Sequence, residues 1–392
     1  MKLSEIFETY KDYIIPTYTK TPLVFVKGKG SYLWDIHAKK YLDFFPGWGV
    51  NNLGHCHPKV MQAVRDQVSK LIFVANNYYH LPQAKLAKEI VYWSYPAKVF
   101  FCNSGAEANE AAIKFSRKSG QGERYEIITF EDSFHGRTLG ALAATGQKKY
   151  QQGFAPLPQG FKTVKFNDLE EVKKAISAKT IAIMLELIQG EGGINVAKAD
   201  FVLNLRKICD ENKLLLIIDE VQTGMARTGK MFCYQHYGIT PDIMTLAKAL
   251  GGGLPIGAMV VKKEISDILG LGTHASTFGG GPVVCKASLA VFKAIQDEKL
   301  LANVKEAGEY LFLKLKELKD KYSVIKEVRG LGLMAGAELE KEGKTIVEKC
   351  AEKGLLINCT HEKVLRLMPA LNVTKKEIDK ALSILDGALK DF

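Results

Sequence analysis

The sequence predicts an α/β fold with its functional groups gathered where the strands of an open sheet end. Three observations carry this expectation. Leu214 to Ile218 is a run of five apolar residues closed by Asp219. It is too short for a membrane span and too aliphatic for a solvated loop, so it reads as a strand covered on both faces. A second strand-like run, Asp242 to Leu246, precedes Lys248, which stands between Ala247 and Ala249 ahead of the glycines Gly251 to Gly253. Ligands of open α/β sheets collect beyond the carboxyl ends of the strands, so these two ends offer one Asp and one Lys to the same crevice. Finally, 392 residues exceed one typical core, which calls for two domains or for a large domain with a smaller one.

Composition narrows the function classes. Hydrophobic residues at 47% supply a core, and charged residues at 25% are ordinary for a globular chain. The net charge of +11 raises nucleic acid as a partner, but the lysines are scattered along helical stretches such as Lys305 to Lys321 and form no basic block. A mildly positive field suits small anionic substrates instead. Seven cysteines form no Cys-x-x-Cys, and their odd number argues against a complete disulfide framework, which fits a reducing compartment. The start, MKLSEIFETYKDYIIP, holds acidic residues and no apolar signal core, and no run reaches the ~18 apolar residues of a membrane helix. A cytoplasmic enzyme without membrane or nucleic-acid partners is expected.

Along the chain, residues 1 to about 20 read as a helix followed by an extended arm, IIPTYTKTP. The segment PLVFVKGKGSYLWDIHAKKYLDFF alternates apolar residues broken by Gly28, Gly30 and Ala38 to Lys40, the pattern of a small antiparallel meander. His55, Cys56 and His57 suggest a metal site, but adjacent positions of an extended segment point in opposite directions, so Gly54 to Pro58 reads as a turn into a helix from Lys59 to Val68. Lys98 to Phe101 is a short strand, after which Asn103 to Glu107 opens a helix to about Lys118. Ser104 and Glu107 satisfy a Ser-x-x-Glu capping box, which alone accounts for both residues. The same helix start also exposes N–H groups to an anion, with a dipole that favours phosphate. Glu126 to Phe130 and Thr180 to Leu185 are further strands, each followed by a glycine-containing loop. Pro282 to about Lys321 is helical, and Gly330 to Glu338 begins a second α/β unit in which Arg366 ends a strand.

An Asp and a Lys at neighbouring strand ends suit pyridoxal 5'-phosphate. That cofactor needs a lysine amine for a Schiff base and an acid to keep its pyridine nitrogen protonated. A Lys walled by alanines and apolar strand residues is partly desolvated, which lowers its pKa and favours the free amine. The alternative is an acidic turn residue and a surface lysine on an ordinary helix.

The strings LLLIIDEVQTG and LAKALGGGLPIGA, with Lys248 lying 29 residues beyond Asp219, resemble the class III aminotransferases of pyridoxal-phosphate fold type I over essentially the whole chain. The resemblance implies a large, mostly parallel mixed-sheet domain (51–285) and a smaller α/β domain built from both termini (1–50 and 286–392). It implies the transfer of the terminal amino group of N-acetylornithine to 2-oxoglutarate, in arginine biosynthesis. Ornithine, succinylornithine, succinyl-diaminopimelate and 4-aminobutyrate are alternative donors.

Residue by residue, the resemblance makes Lys248 the cofactor lysine and Asp219 the partner of the pyridine nitrogen. NSGAEANEAAIKFSRK implies that Gly105 and Ala106 N–H groups and the Ser104 hydroxyl hold the phosphate, and FHGRT implies that Phe134 stacks on the ring and Arg137 binds a substrate carboxylate. Glu220, Val221 and Gln222 follow Asp219 in the cofactor motif, with Gln222 on the ring hydroxyl. Arg366 is a second carboxylate arginine, masked by Glu191 in one half-reaction and released in the other. Ser276 borders the substrate, and Thr277 reaches the phosphate of the neighbouring subunit in a homodimer. Tyr18 touches substrate or packs in the arm, and His135 has no assigned role beyond packing or a hydrogen bond. Leu187, Ala226 and Gly281 stand where the family commonly has Pro, Gly and Asn.

Overall fold

The computed structural model describes residues 2–390 and 392. Its centre is a seven-stranded sheet in the order Ala97–Cys102, Gly257–Lys262, Ile243–Leu246, Leu215–Asp219, Thr180–Glu186, Glu126–Phe130, Phe161–Val164. Leu215–Asp219 runs parallel to both its neighbours, and Gly257–Lys262 runs antiparallel to the two strands beside it. Pleating sends alternate residues to opposite faces, and both faces are covered. Leu216 and Ile218 join one apolar cluster with Met244, Leu185 and Ile183. Ile217 joins the other with Met184, Ile243 and the helix residues Ala111, Ala112 and Phe115. Each such side chain contributes roughly 1.5–3 kcal/mol by leaving water. The small residues Ala108, Ala111 and Ala112 let the helix Gly105–Ser119 lie close against the sheet.

Several expected bounds shift by a residue. The strand expected over Leu214 to Ile218 covers Leu215–Asp219, so the aspartate is the last paired residue of its strand, in register with Glu186 and Thr245. A two-stranded hairpin, Ile188–Gln189 with Asn195–Val196, lies inside the stretch read as a loop after Glu186. The helical region from Pro282 divides at Lys299, whose φ of 52° ends Pro282–Asp297 and starts Leu300–Lys321.

The N-terminal meander, Phe25–Lys29, Tyr32–Asp35 and Lys40–Asp43, is completed by Leu355–Leu356, which pairs parallel with Lys40–Asp43. A second four-stranded sheet orders Ile325–Leu331, Met334–Leu339, Val364–Leu367 and Asn358–Thr360. Segments from both halves of the chain thus share one sheet. The expected border between 285 and 286 falls inside the continuous helix Pro282–Asp297, which packs on Pro58–Val68 and Leu81–Trp93.

His55 and His57 engage different carboxylates, Asp43 at 2.8 Å and Glu298 at 3.2 Å, while Cys56 is exposed. Of the family departures, Leu187 is fully buried in the core. Gly281 is the N-cap of Pro282–Asp297, a position an Asn side chain would cap. Ala226 has φ of 70° and no exposure, so the replacement of a glycine there carries left-handed strain of about 1 kcal/mol. Among the described residues no helix is long and apolar enough to cross a membrane.

Candidate active site

The carboxyl ends of the central strands converge on one cavity of about 480 Å³ lined by Ser104, Gly105, Ala106, Phe134, Arg137, Glu186, Glu191, Asp219, Val221, Gln222 and Lys248, with others. The crossover order of the sheet makes this convergence. Asp219 ends the strand between those that end at Glu186 and Leu246, and Lys248 follows Leu246 by two residues. The lining is thus assembled from strands that are distant in sequence and adjacent in space.

Lys248 has φ of 46°, a left-handed backbone that costs a non-glycine residue about 1 kcal/mol. Burial, the largest influence, lowers its pKa, with Glu191 opposing and Arg366 adding to the effect. No hydrogen bond or ion pair to its amine is found among the described residues. A lowered pKa raises the share of free amine, and an unpaired amine in a cavity is then available as a nucleophile.

Asp219 is 4% exposed and accepts three hydrogen bonds. The Val221 N–H reaches Oδ1 at 3.0 Å, and Asn109 Nδ2 and His135 Nδ1 each reach Oδ2 at 2.8 Å. Bonding to a carboxylate fixes the proton of His135 on Nδ1. Asn109 also donates to the His135 carbonyl at 2.7 Å and accepts from the Thr245 hydroxyl at 2.7 Å, which orients its amide. Sequence reasoning missed Asn109 and Thr245 and left His135 without a partner. The available signal was an Asn on the alanine-rich buried face of Gly105–Ser119.

At the N-terminus of that helix, Ser104 accepts from the Glu107 N–H at 3.2 Å. The reciprocal half of the expected capping box is displaced by one residue: Glu107 accepts from the backbone and side chain of Asn103, both at 2.9 Å. The N–H groups of Gly105 and Ala106 precede the first intrahelical bonds and face no such competitor. A Cβ at Gly105 would come within 2.8 Å of Val221, so glycine keeps this turn close to the cavity wall.

Arg366 is fully buried. It donates to Glu191 Oε1 at 2.7 Å, to the Gly190 carbonyl at 2.8 Å and to Asn358 Oδ1 at 2.8 Å, with its guanidinium over Phe45 at 4.6 Å. Glu191 lines the cavity, so its carboxylate is shared between the arginine and the open space. Glu186 ties two loops together: Phe134 N–H donates to Oε1 at 2.8 Å and Gly190 N–H to Oε2 at 3.2 Å. Burial pushes its carboxyl above the usual range.

The other expected residues divide between the cavity and positions away from it. Glu220 turns into the core, accepting from the Thr223 hydroxyl at 2.6 Å and the Tyr234 N–H at 2.8 Å, and does not line the cavity. Gln222 lines it, with Nε2 bonded to the Trp48 carbonyl at 3.2 Å. Ser276 accepts from Asn103 Nδ2 at 3.1 Å, and Thr277 is exposed. Tyr18 is 72% exposed, carries Lys20 over its ring at 5.3 Å, and reaches neither the core nor the cavity.

The cavity fits pyridoxal phosphate by its donor set: an unpaired buried amine, a carboxylate held by three donors, and free N–H groups at a helix start kept open by Gly105. The sequence profile described as Aminotransferase class-III matches residues 13–389. Acetylornithine aminotransferase of Methanocaldococcus jannaschii is 55% identical, with 97% of each chain covered. The enzyme of that name from Caldanaerobacter subterraneus is 52% identical over 97% of this chain and 98% of its own. Among solved structures, ornithine aminotransferase from Toxoplasma gondii superposes with a TM-score of 0.96 at 30% identity, covering 100% of this chain and 96% of its own. Profile, identity and the lysine–aspartate cavity agree that the chain belongs to the class-III aminotransferases, a pyridoxal-phosphate-dependent family.

Proposed function

We propose that this enzyme moves the terminal amino group of N-acetylornithine to 2-oxoglutarate, giving N-acetylglutamate 5-semialdehyde and glutamate, as a step of arginine biosynthesis in the cytoplasm. The observation that carries the reading is the pairing of a buried Arg366 with a cavity-lining Glu191, beside a second arginine, Arg137, in the same cavity as Lys248 and Asp219. Two carboxylate sites with one maskable arginine match two substrates that differ by one carboxylate next to the reacting amine. The identity to acetylornithine aminotransferases supports the choice of donor.

Lys248 would bind pyridoxal phosphate covalently. The Gly105 and Ala106 N–H groups, with the Ser104 hydroxyl, would hold its phosphate, while Phe134 and Val221 flank its ring and Gln222 meets its hydroxyl. When bound, the cofactor withdraws electrons from the carbon bearing the amine, and Asp219 supplies the negative charge that sustains this. Arg137 grips the distant carboxylate of N-acetylornithine in bidentate fashion, which a lysine does not reproduce. Nζ of Lys248 would take the proton from the amine-bearing carbon of the donor. In the second half-reaction Glu191 swings away and Arg366 takes the carboxylate beside the reacting amine of glutamate.

The exposed apolar residues Ile72 (67%), Tyr78 (67%), Tyr79 (105%), Leu271 (105%) and Phe278 (65%) support a homodimer in which a second copy would cover them. In that dimer Thr277 would reach the partner's phosphate, with Ser276 and Tyr18 near substrate. The decisive experiment is a donor panel with 2-oxoglutarate: kcat/KM highest for N-acetylornithine is expected, and a higher value for ornithine, succinylornithine or 4-aminobutyrate overturns the assignment.

A further inference from the structure

Arg137 is exposed, and what meets its guanidinium among the described residues is aromatic. The guanidinium carbon lies 4.0 Å from the ring centroid of Tyr150 and 5.5 Å from that of Phe134. The two rings meet edge to face with centroids 5.8 Å apart. The platform itself is fastened. Tyr150 sits in the short helix Lys148–Gln151, where Gln151 Nε2 donates to the Leu142 and Thr145 carbonyls at 3.1 and 2.9 Å. Gln147, just before it, donates to the Asp132 and Ser133 carbonyls at 3.1 and 3.2 Å, holding the loop that carries Phe134 and Arg137. Tyr150 also lines, with Glu191 and Trp48, a second cavity of about 470 Å³ that adjoins the first through Glu191.

We propose that Tyr150 is a positioning residue for specificity: its ring fixes the plane and reach of the Arg137 guanidinium, so that the fork is set for a ligand carboxylate before binding. An unstacked arginine loses rotamer freedom when it closes on a carboxylate, whereas a stacked one has surrendered that freedom already. The inference rests on the reading of Arg137 as the distal-carboxylate arginine.

The test uses the cofactor-loaded enzyme and three variants, Tyr150→Leu, Tyr150→Phe and Arg137→Ala. Two measurements are made: KM and kcat for N-acetylornithine and for 1,4-diaminobutane, which has no carboxylate, and the Kd of N-acetylnorvaline, which keeps the carboxylate and lacks the reacting amine. Tyr150→Leu should raise KM for N-acetylornithine and Kd for N-acetylnorvaline roughly three- to tenfold at unchanged kcat, leaving the diamine unaffected. Tyr150→Phe should restore both constants. Equal losses for the diamine, or unchanged constants in Tyr150→Leu beside a large rise in Arg137→Ala, would overturn the role of Tyr150 alone. An Arg137→Ala variant that still binds N-acetylnorvaline as the wild type does would remove the reading of Arg137, and this inference with it.

Discussion

His135 Nδ1 and Asp219 Oδ2 lie 2.8 Å apart, both side chains nearly fully buried, and Asn109 donates to the same oxygen at 2.8 Å. The carboxylate that faces the cavity is therefore aimed by two side chains, one from a loop and one from the helix Gly105–Ser119. Removing either should alter cofactor binding before it alters folding.

Asn109→Asp tests this directly, because it keeps the shape and replaces a donor with an acid. Two facing carboxyl groups share one proton at low pH and repel once both ionise. Cofactor affinity of the variant, measured by quenching of protein fluorescence, should fall at least about tenfold as pH rises through neutrality, while the wild type changes little. A variant with wild-type pH behaviour would show that Asn109 does not act on Asp219.

Lys248→Ala should bind the cofactor weakly and lose the visible absorbance of the covalent linkage. Borohydride reduction followed by peptide mass spectrometry should find an adduct at residue 248 of the wild type and none in the variant. An adduct on another lysine of the wild type would displace Lys248 from its role.

Glu191→Gln leaves Arg366 without its counter-charge. Leaving a buried charge unpaired is costly, so the arginine should seek the extra carboxylate of glutamate, shifting the ratio of kcat/KM values toward glutamate by about tenfold or more. Single-turnover rates that drop equally in the two half-reactions would contradict a gate.

Burial pushes the Glu220 carboxyl up to about 7. The folded state thus holds this proton more tightly than the unfolded one, where the pKa is about 4.3. Its contribution to stability is full below pH ~4 and is lost as pH rises through about 7, by up to about 4 kcal/mol. Gln fits the site, accepting from Tyr234 N–H and donating to the Thr223 hydroxyl. Urea unfolding at pH 5 and 8 should therefore show a smaller pH difference in Glu220→Gln; an unchanged difference would assign the titration to another group.

Gly257→Ala should disturb the phosphate turn from behind. A Cβ there would come within 2.3 Å of the Ser104 carbonyl oxygen. Overpacking of this kind costs about 1–3 kcal/mol. A lowered melting temperature with weaker retention of the phosphorylated cofactor is expected; an unchanged melting temperature would mean that the turn yields freely.

Local pattern made the α/β class, the strand ending at Asp219, the helix opening after Ser104 and the Lys248 turn legible in the sequence, because burial on both faces, capping chemistry and glycine clusters act over a few residues. Ser104, Phe134, Arg137 and Gln222, which lie in recognisable strings, line the cavity, although Glu220 shows the weakness of adjacency: one step beyond Asp219 along the chain, its side chain turns into the core. The tertiary structure alone decided what the sheet order brings together. Asn109, His135 and Thr245 are spread over 136 residues yet join behind one carboxylate, and Arg366 meets Glu191 across 175 positions. Such contacts are made by strand order and by the pairing of the two chain ends, and no local period records them.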